Sequence, residues 1–280
     1  MQQITFYRHG ASVATAAENQ AGGGKRGVTS GWSKGAARRN VQFLRSIDEA
    51  RLDGVHVCAT LTVRDCPPNA AVWSALRRRW EHRLRRAGML RMHWVTELQR
   101  RGVPHLHALI GFPADWEASA VQQTVVSAWL AVAAVYGAGP QSQDVREWDV
   151  GVAWLAYLGK HVGRRGGHYQ RAALPAGWEK SGGVWGHPGD WPVQEPERAL
   201  TGDREGYRMR RVMKRYQVAE ARRREQWQGV RYARRMLKAP ERKLAEVRGV
   251  SVWIPEAISR RMAEWAHEVD GREASPSRPS

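Results

Sequence analysis

Glu97 to His107 reads Glu-Leu-Gln-Arg-Arg-Gly-Val-Pro-His-Leu-His, placing one carboxylate and two imidazoles close together in an otherwise apolar pattern. Trp94-Val95-Thr96 before it and Ala108-Leu109-Ile110-Gly111 after it read as strand, and Arg101-Gly102-Val103-Pro104 reads as the turn of a hairpin. Strand side chains alternate faces, so His105 and His107 share one. Any register that brings Glu97 to that face gathers all three. Such a set can hold one divalent ion; the plainer alternative is a pair of surface or hydrogen-bonded histidines. Further along, Gly151 to Arg165 reads as a helix on which Tyr157 and Lys160, three residues apart, share a face. A buried structural tyrosine is the competing reading there.

These groups need elements to position them. Ser33 is a candidate N-cap for a basic helix running to about Arg51, with Ala37, Val41, Leu44 and Ile47 on one face. Val55 to Val63 is short and β-branched, the first strand. Ala70 to Ala87 carries Val72, Trp73, Leu76, Trp80 and Leu84 at helical spacing beneath a basic outer face, and Asp115 to Tyr136 gives a second apolar helix. With the hairpin of residues 90 to 111 and a short strand near Val145 to Val150, the order is βαββαβ. The expected fold class is therefore α+β: an antiparallel sheet of split, ferredoxin-like or RRM-like topology with helices on one face and the other face free for a ligand.

The rest of the chain divides by composition. Residues 1–31, rich in Ala and Gly, read as a flexible arm. Their Gly22-Gly23-Gly24-Lys25-Arg26-Gly27 run does not meet phosphate-loop spacing. Residues 32–196 are the expected α+β domain with a Trp- and Gly-rich loop, and 197–270 a basic, mainly helical extension. Residues 271–280 read as a disordered tail. Forty-five Lys and Arg against 27 Asp and Glu leave +18 over 280 residues, a balance that attracts nucleic acid. Residues 204–248 hold sixteen Lys and Arg against five Glu, and Arg222, Arg223 and Arg224 are candidates for phosphate contacts. Arg101 and Trp185 are added as candidate DNA contacts. Of the 14 tryptophans, Trp148, Trp178, Trp185 and Trp191 lie in loop-like sequence where stacking on bases competes with packing. Cys58 and Cys66 form neither a metal-finger spacing nor a disulfide framework, and no membrane span or signal peptide is read, so the cytoplasm is expected.

Taken together, Thr60-Leu61-Thr62, then Glu97 with His105-Leu106-His107, then Tyr157 with Lys160, the chain resembles the HUH endonucleases, specifically the rolling-circle replication initiators. Gln99, the Arg101 to Pro104 turn and Val184-Trp185-Gly186 look most like the filamentous-phage and plasmid branch. The likeness spans about residues 32 to 190. A second tyrosine one helical turn after the first is absent, because His161 stands there; Tyr169 is a distant substitute.

The resemblance implies that Glu97, His105 and His107 bind Mg²⁺ or Mn²⁺ and that Tyr157 is the nucleophile, with Lys160 steadying the phosphate. Attack on single-stranded origin DNA would leave a 5′-phosphotyrosine and a free 3′-hydroxyl, and the same site would rejoin strands. The implied partners are the origin of the protein's own replicon, a host helicase and a polymerase; the oligomeric state stays open. Two alternatives remain at this level: a single-tyrosine transposase, and a non-catalytic basic protein that binds single-stranded nucleic acid.

Overall fold

A computed structural model of the protein describes residues 1–16, 31–149, 151–163, 174–238 and 250–274. The first elements are a hairpin, β1 (Gln2–Tyr7) and β2 (Gly10–Thr15). Then follow α1 (Lys34–Ser46), β3 (Val55–Thr62), α2 (Ala70–Arg86), β4 (Arg91–Leu98), β5 (Pro104–Phe112), α3 (Ala118–Ala133), β6 (Asp144–Glu147), α4 (Val152–Leu158) and β7 (Trp185–Gly186). The remainder is β8 (Glu197–Thr201), α5 (Asp203–Arg223), α6 (Trp227–Leu237), β9 (Val250–Trp253) and α7 (Glu256–Ala274). They form two units, Gly24–Val193 and Met1–Gly23 with Gln194–Ser280.

The Gly24–Val193 unit is built on a sheet of order β6-β3-β5-β4-β7 with every neighbour antiparallel. Alternation sends Val57, Ala59 and Leu61 of β3, and Leu106, Ala108 and Ile110 of β5, to one face. There they meet Trp73, Leu76 and Trp80 of α2 and Val121, Val125 and Trp129 of α3. The three tryptophans pack edge to face, Trp73 and Trp80 each on Trp129, and the Trp80 indole N–H donates to the Val125 carbonyl at 3.2 Å. α3 with its following turn is long and apolar enough to cross a membrane by length and composition, yet its Val121, Val125, Trp129 and Ala133 stripe is part of this core. Both helices start where expected, with the Asn69 side chain capping α2 and Ser33 capping α1.

The opposite sheet face is not free, contrary to expectation. β4 is buried along its whole length and β5 at all but one residue, so both faces of these strands are covered. α1 lies over it, sending the fully buried Asn40 to His93 Nε2 at 2.7 Å and to the Leu158 carbonyl at 2.9 Å. α4 is pinned by the Trp154 indole, which donates to the Ala108 carbonyl at 3.2 Å. The apolar stripe of α1, read from the sequence, required such a seat. What stays open is a corner around Thr60, Thr62, His105 and Tyr157, which are half-buried or exposed.

The other unit corrects two expectations. Residues 2–15 are not a flexible arm but the two central strands of a sheet of order β8-β1-β2-β9, joined across a tight turn with Tyr7 opposite Gly10. Residues 17–30, with the Gly-rich run, lie outside the described residues, as does the tail 275–280. The expected mainly helical extension therefore contains strands: Ile4, Phe6, Ala11, Val13, Val250 and Val252 form a core with Met209 and Met213 of α5 and Ala266 of α7. The basic segment is two helices rather than one. α5 ends before Glu225, which takes a left-handed conformation (φ 56°), and α6 begins two residues later.

Candidate metal and nucleophile site

The hairpin register decides the site. Glu97 pairs directly with His105 and Val95 with His107, so the carboxylate sits opposite one imidazole and diagonal to the other on one face. Their ligand atoms lie within 4.8 Å of one another. Glu97 Oε2 is 3.6 Å from Nε2 of both His105 and His107.

The donor set suits a cation. Burial opposes ionisation of Glu97, but the facing His105, His107 and His161 outweigh it and hold the carboxyl well below the usual carboxylate range. His107 is pushed down to about 4, chiefly by burial, and is therefore neutral at pH 7 with one ring nitrogen as acceptor. Its Nδ1 lies 2.9 Å from Thr60 Oγ1 and its Nε2 3.0 Å from the Tyr157 hydroxyl. The consistent tautomer has Nδ1–H donating to Thr60 and Nε2 facing the site. His105 Nε2 is buried with no hydrogen-bond partner among the described residues, since 3.6 Å to Glu97 is too long. A buried ring nitrogen that lacks a hydrogen bond and lies beside a carboxylate is a donor available to a cation.

Tyr157 is brought to the same corner. α4 stops at Leu158, with Gly159 as its C-cap, and Lys160 and His161 fall in the 3₁₀ turn Lys160–Gly163, so the expected continuous helix is shorter than read. The turn still folds Lys160 back: its Nζ lies 3.5 Å from the Tyr157 ring centre and 2.8 Å from Glu97 Oε1. Trp154 stacks on Tyr157 from the other side, with ring centres 5.0 Å apart and planes 17° apart. The tyrosine is 38% exposed, so part of its side chain opens to solvent.

His161, expected only as the place where a second tyrosine is missing, is fully buried and sets Nε2 2.8 Å from Glu97 Oε1. Its ring stacks on Trp32 (centres 4.1 Å apart, planes at 9°), and the Trp32 indole donates to the Thr96 carbonyl at 2.9 Å. His161 thus holds one carboxylate oxygen and leaves the other facing the histidines. Its position beside Lys160 was the only hint in the sequence, and nothing there pointed to Trp32.

The expected DNA contacts are scattered. Arg101 spends donors on the Gln99 side chain and on the Val63 and Arg64 carbonyls, clamping the hairpin turn to the end of β3. Trp185, on edge strand β7, joins the rings of Phe43, His93 and His187. Trp148 and Trp178 are buried and Trp191 packs on Phe43, so these loop tryptophans serve packing. Arg222, Arg223 and Arg224 are exposed at the end of α5, with Arg223 and Arg224 near Glu220. Tyr169 lies outside the described residues.

A family model for replication-associated proteins of the ORF2 type matches residues 56–163, the stretch that spans β3 through the Lys160 turn. A protein of Xylella fastidiosa (strain 9a5c) named for replication is 43% identical over 267 residues, 91% of this chain and 93% of the relative. The replication-associated protein of Pseudomonas phage Pf3 is 40% identical over 262 residues, covering 91% and 94%. A third similar chain, from Xylella fastidiosa (strain Temecula1 / ATCC 700964) and also named for replication, is 41% identical over 263 residues, covering 90% and 99%. No solved structure matches.

Proposed function

This chain belongs to the same family of replication-associated proteins as its phage Pf3 relative, and from that premise we propose that it starts replication by nicking and rejoining one DNA strand. The proposed activity is that of a metal-dependent, single-tyrosine HUH endonuclease and strand transferase at the origin of its own replicon. The observation that carries it is the convergence of the Tyr157 hydroxyl, His107 Nε2 and Lys160 Nζ around the single carboxylate of Glu97. The strand order β6-β3-β5-β4 of the βαββαβ segment also supports the split topology expected of that fold.

In this reading Glu97 Oε2, His105 Nε2 and His107 Nε2 hold Mg²⁺ or Mn²⁺, which when bound would act as Lewis acid on a phosphate oxygen. Thr60 fixes the His107 tautomer and His161 fixes Glu97. The Tyr157 oxygen forms a bond to the scissile phosphorus while the bond from phosphorus to the 3′ oxygen breaks. The phenol proton passes to solvent and the departing 3′ oxygen takes a proton from water. Lys160, against the ring face, stabilises negative charge on the phenol oxygen and so assists both attack and the reverse ligation. Ligation needs no ATP, since the phosphotyrosine bond retains the phosphodiester energy. The open corner admits a single strand more readily than a closed duplex. A host polymerase would extend the 3′-hydroxyl behind a host helicase in the cytoplasm.

The test is incubation with 3′-end-labelled single-stranded origin oligonucleotides and Mn²⁺, followed by a denaturing gel. A labelled protein adduct is expected, lost in Tyr157→Phe with DNA binding retained. Equal behaviour of the two proteins would instead favour a basic single-strand binder.

A further inference from the structure

The basic outer face of α2 takes no part in the site. α2 and α3 lie on the sheet face opposite Glu97, and between them runs a groove lined by Arg78, Arg79, His82, Arg83 and Arg86 of α2 against Ala131 of α3. None of the residues lining it is acidic. The four arginines are exposed and have no acidic partner among the described residues. The one carboxylate within α2, Glu81, is taken by Arg77 at 2.9 Å and Arg85 at 3.1 Å. α3 carries no charged residue between Ala118 and Ala133, so the second wall neither repels nor competes for an anion.

We propose that this groove is a second DNA-binding site, taking the phosphate backbone of a duplex. Unpaired arginines facing no acid carry a like-charge repulsion that a polyanion relieves. Arg79, Arg83 and Arg86 follow one line along the helix over about 10 Å, at 1.5 Å per residue, on the order of three phosphate steps of one strand. Recognition of an unpaired strand uses aromatic platforms, and the groove offers none beyond the His82 ring. The two faces thus divide the work: the corner takes an opened strand and the groove takes closed DNA beside it. Duplex contact by the groove does not depend on Tyr157 being a nucleophile.

The experiment uses the full chain and a duplex oligonucleotide without a nick site, with affinity measured across a range of salt. The double variant Arg79→Gln/Arg83→Gln should flatten the slope of log affinity against log salt by about two, near 0.9 for each phosphate that is no longer neutralised. Arg79→Lys/Arg83→Lys should keep the wild-type slope, and Arg85→Gln, the ion-paired control, should leave it unchanged. Adduct formation on a short single-stranded oligonucleotide should be the same for the double glutamine variant as for wild type, separating this site from the nicking reading. A duplex slope unchanged by the glutamine pair overturns the proposal. So does a slope that falls equally in Arg85→Gln, one that falls equally in the lysine pair, or one that changes only for single strands.

Discussion

At the scale of residues, Glu97 is the hub: two histidines face one of its oxygens, and Lys160 and His161 hold the other. A carboxylate buried to 1% exposure needs such neighbours to stay ionised. His161→Ala should then weaken Mn²⁺ binding by roughly 10-fold to 100-fold, the usual cost of losing a group that orients a ligand. His161→Gln, which keeps an N–H donor, should recover much of it; titration followed by electron paramagnetic resonance measures both. Equal losses in the two variants would reduce His161 to a packing residue. Glu97, His105 and His107 were legible because strand period alone puts i and i+2 on one face and a short turn brings Glu97 across. His161 was not, because no spacing rule pairs a histidine with a carboxylate 64 residues away.

At the scale of elements, the helix end that carries Tyr157 is held by a chain of buried polar contacts. His93 Nε2 donates to Asn40 Oδ1, and the Asn40 amide donates to the carbonyl of Leu158, the residue after Tyr157. Asn40→Ala strands a buried donor and a buried acceptor and should cost about 1–3 kcal/mol in urea unfolding. It should also slow adduct formation more than it weakens DNA binding. Burial pushes His93 down to about 3 and His56 to about 4, from 6.5, so both are neutral when folded. The unfolded chain gains a proton at each below pH 6.5 that the folded chain refuses. Stability is therefore complete above about pH 6.5 and falls as the pH drops towards 4 and then 3, by on the order of 1 kcal/mol per group per pH unit. Urea midpoints between pH 7.5 and 5 check this, and a flat profile would contradict it. The hairpin and both core helices were readable from apolar period and caps. The cover on the second sheet face was not, because the seat of α1 is set by its contacts with β4 and α4, far along the chain.

At the scale of the molecule, the N-terminal hairpin is the least legible feature. Gly10-Ala11-Ser12-Val13-Ala14-Thr15 is small-residue sequence with a weak strand signal, and the hairpin's outer partners, β8 beside β1 and β9 beside β2, come about 190 to 240 residues later. Deleting residues 1–16 removes both central strands of that sheet. The deletion should expose residues 197–274 to limited proteolysis while the Gly24–Val193 unit resists; a true arm would be dispensable. The +18 charge agrees with a DNA-acting protein but does not say where DNA lies. The central claim, that one tyrosine carries the strand, is tested most directly by digesting the protein after reaction with origin oligonucleotide and Mn²⁺ and locating the nucleotide by mass spectrometry. The account predicts a 5′-phosphonucleotide on the peptide containing Tyr157 and on no other; a modified peptide without Tyr157, or cleavage with no adduct, would contradict it.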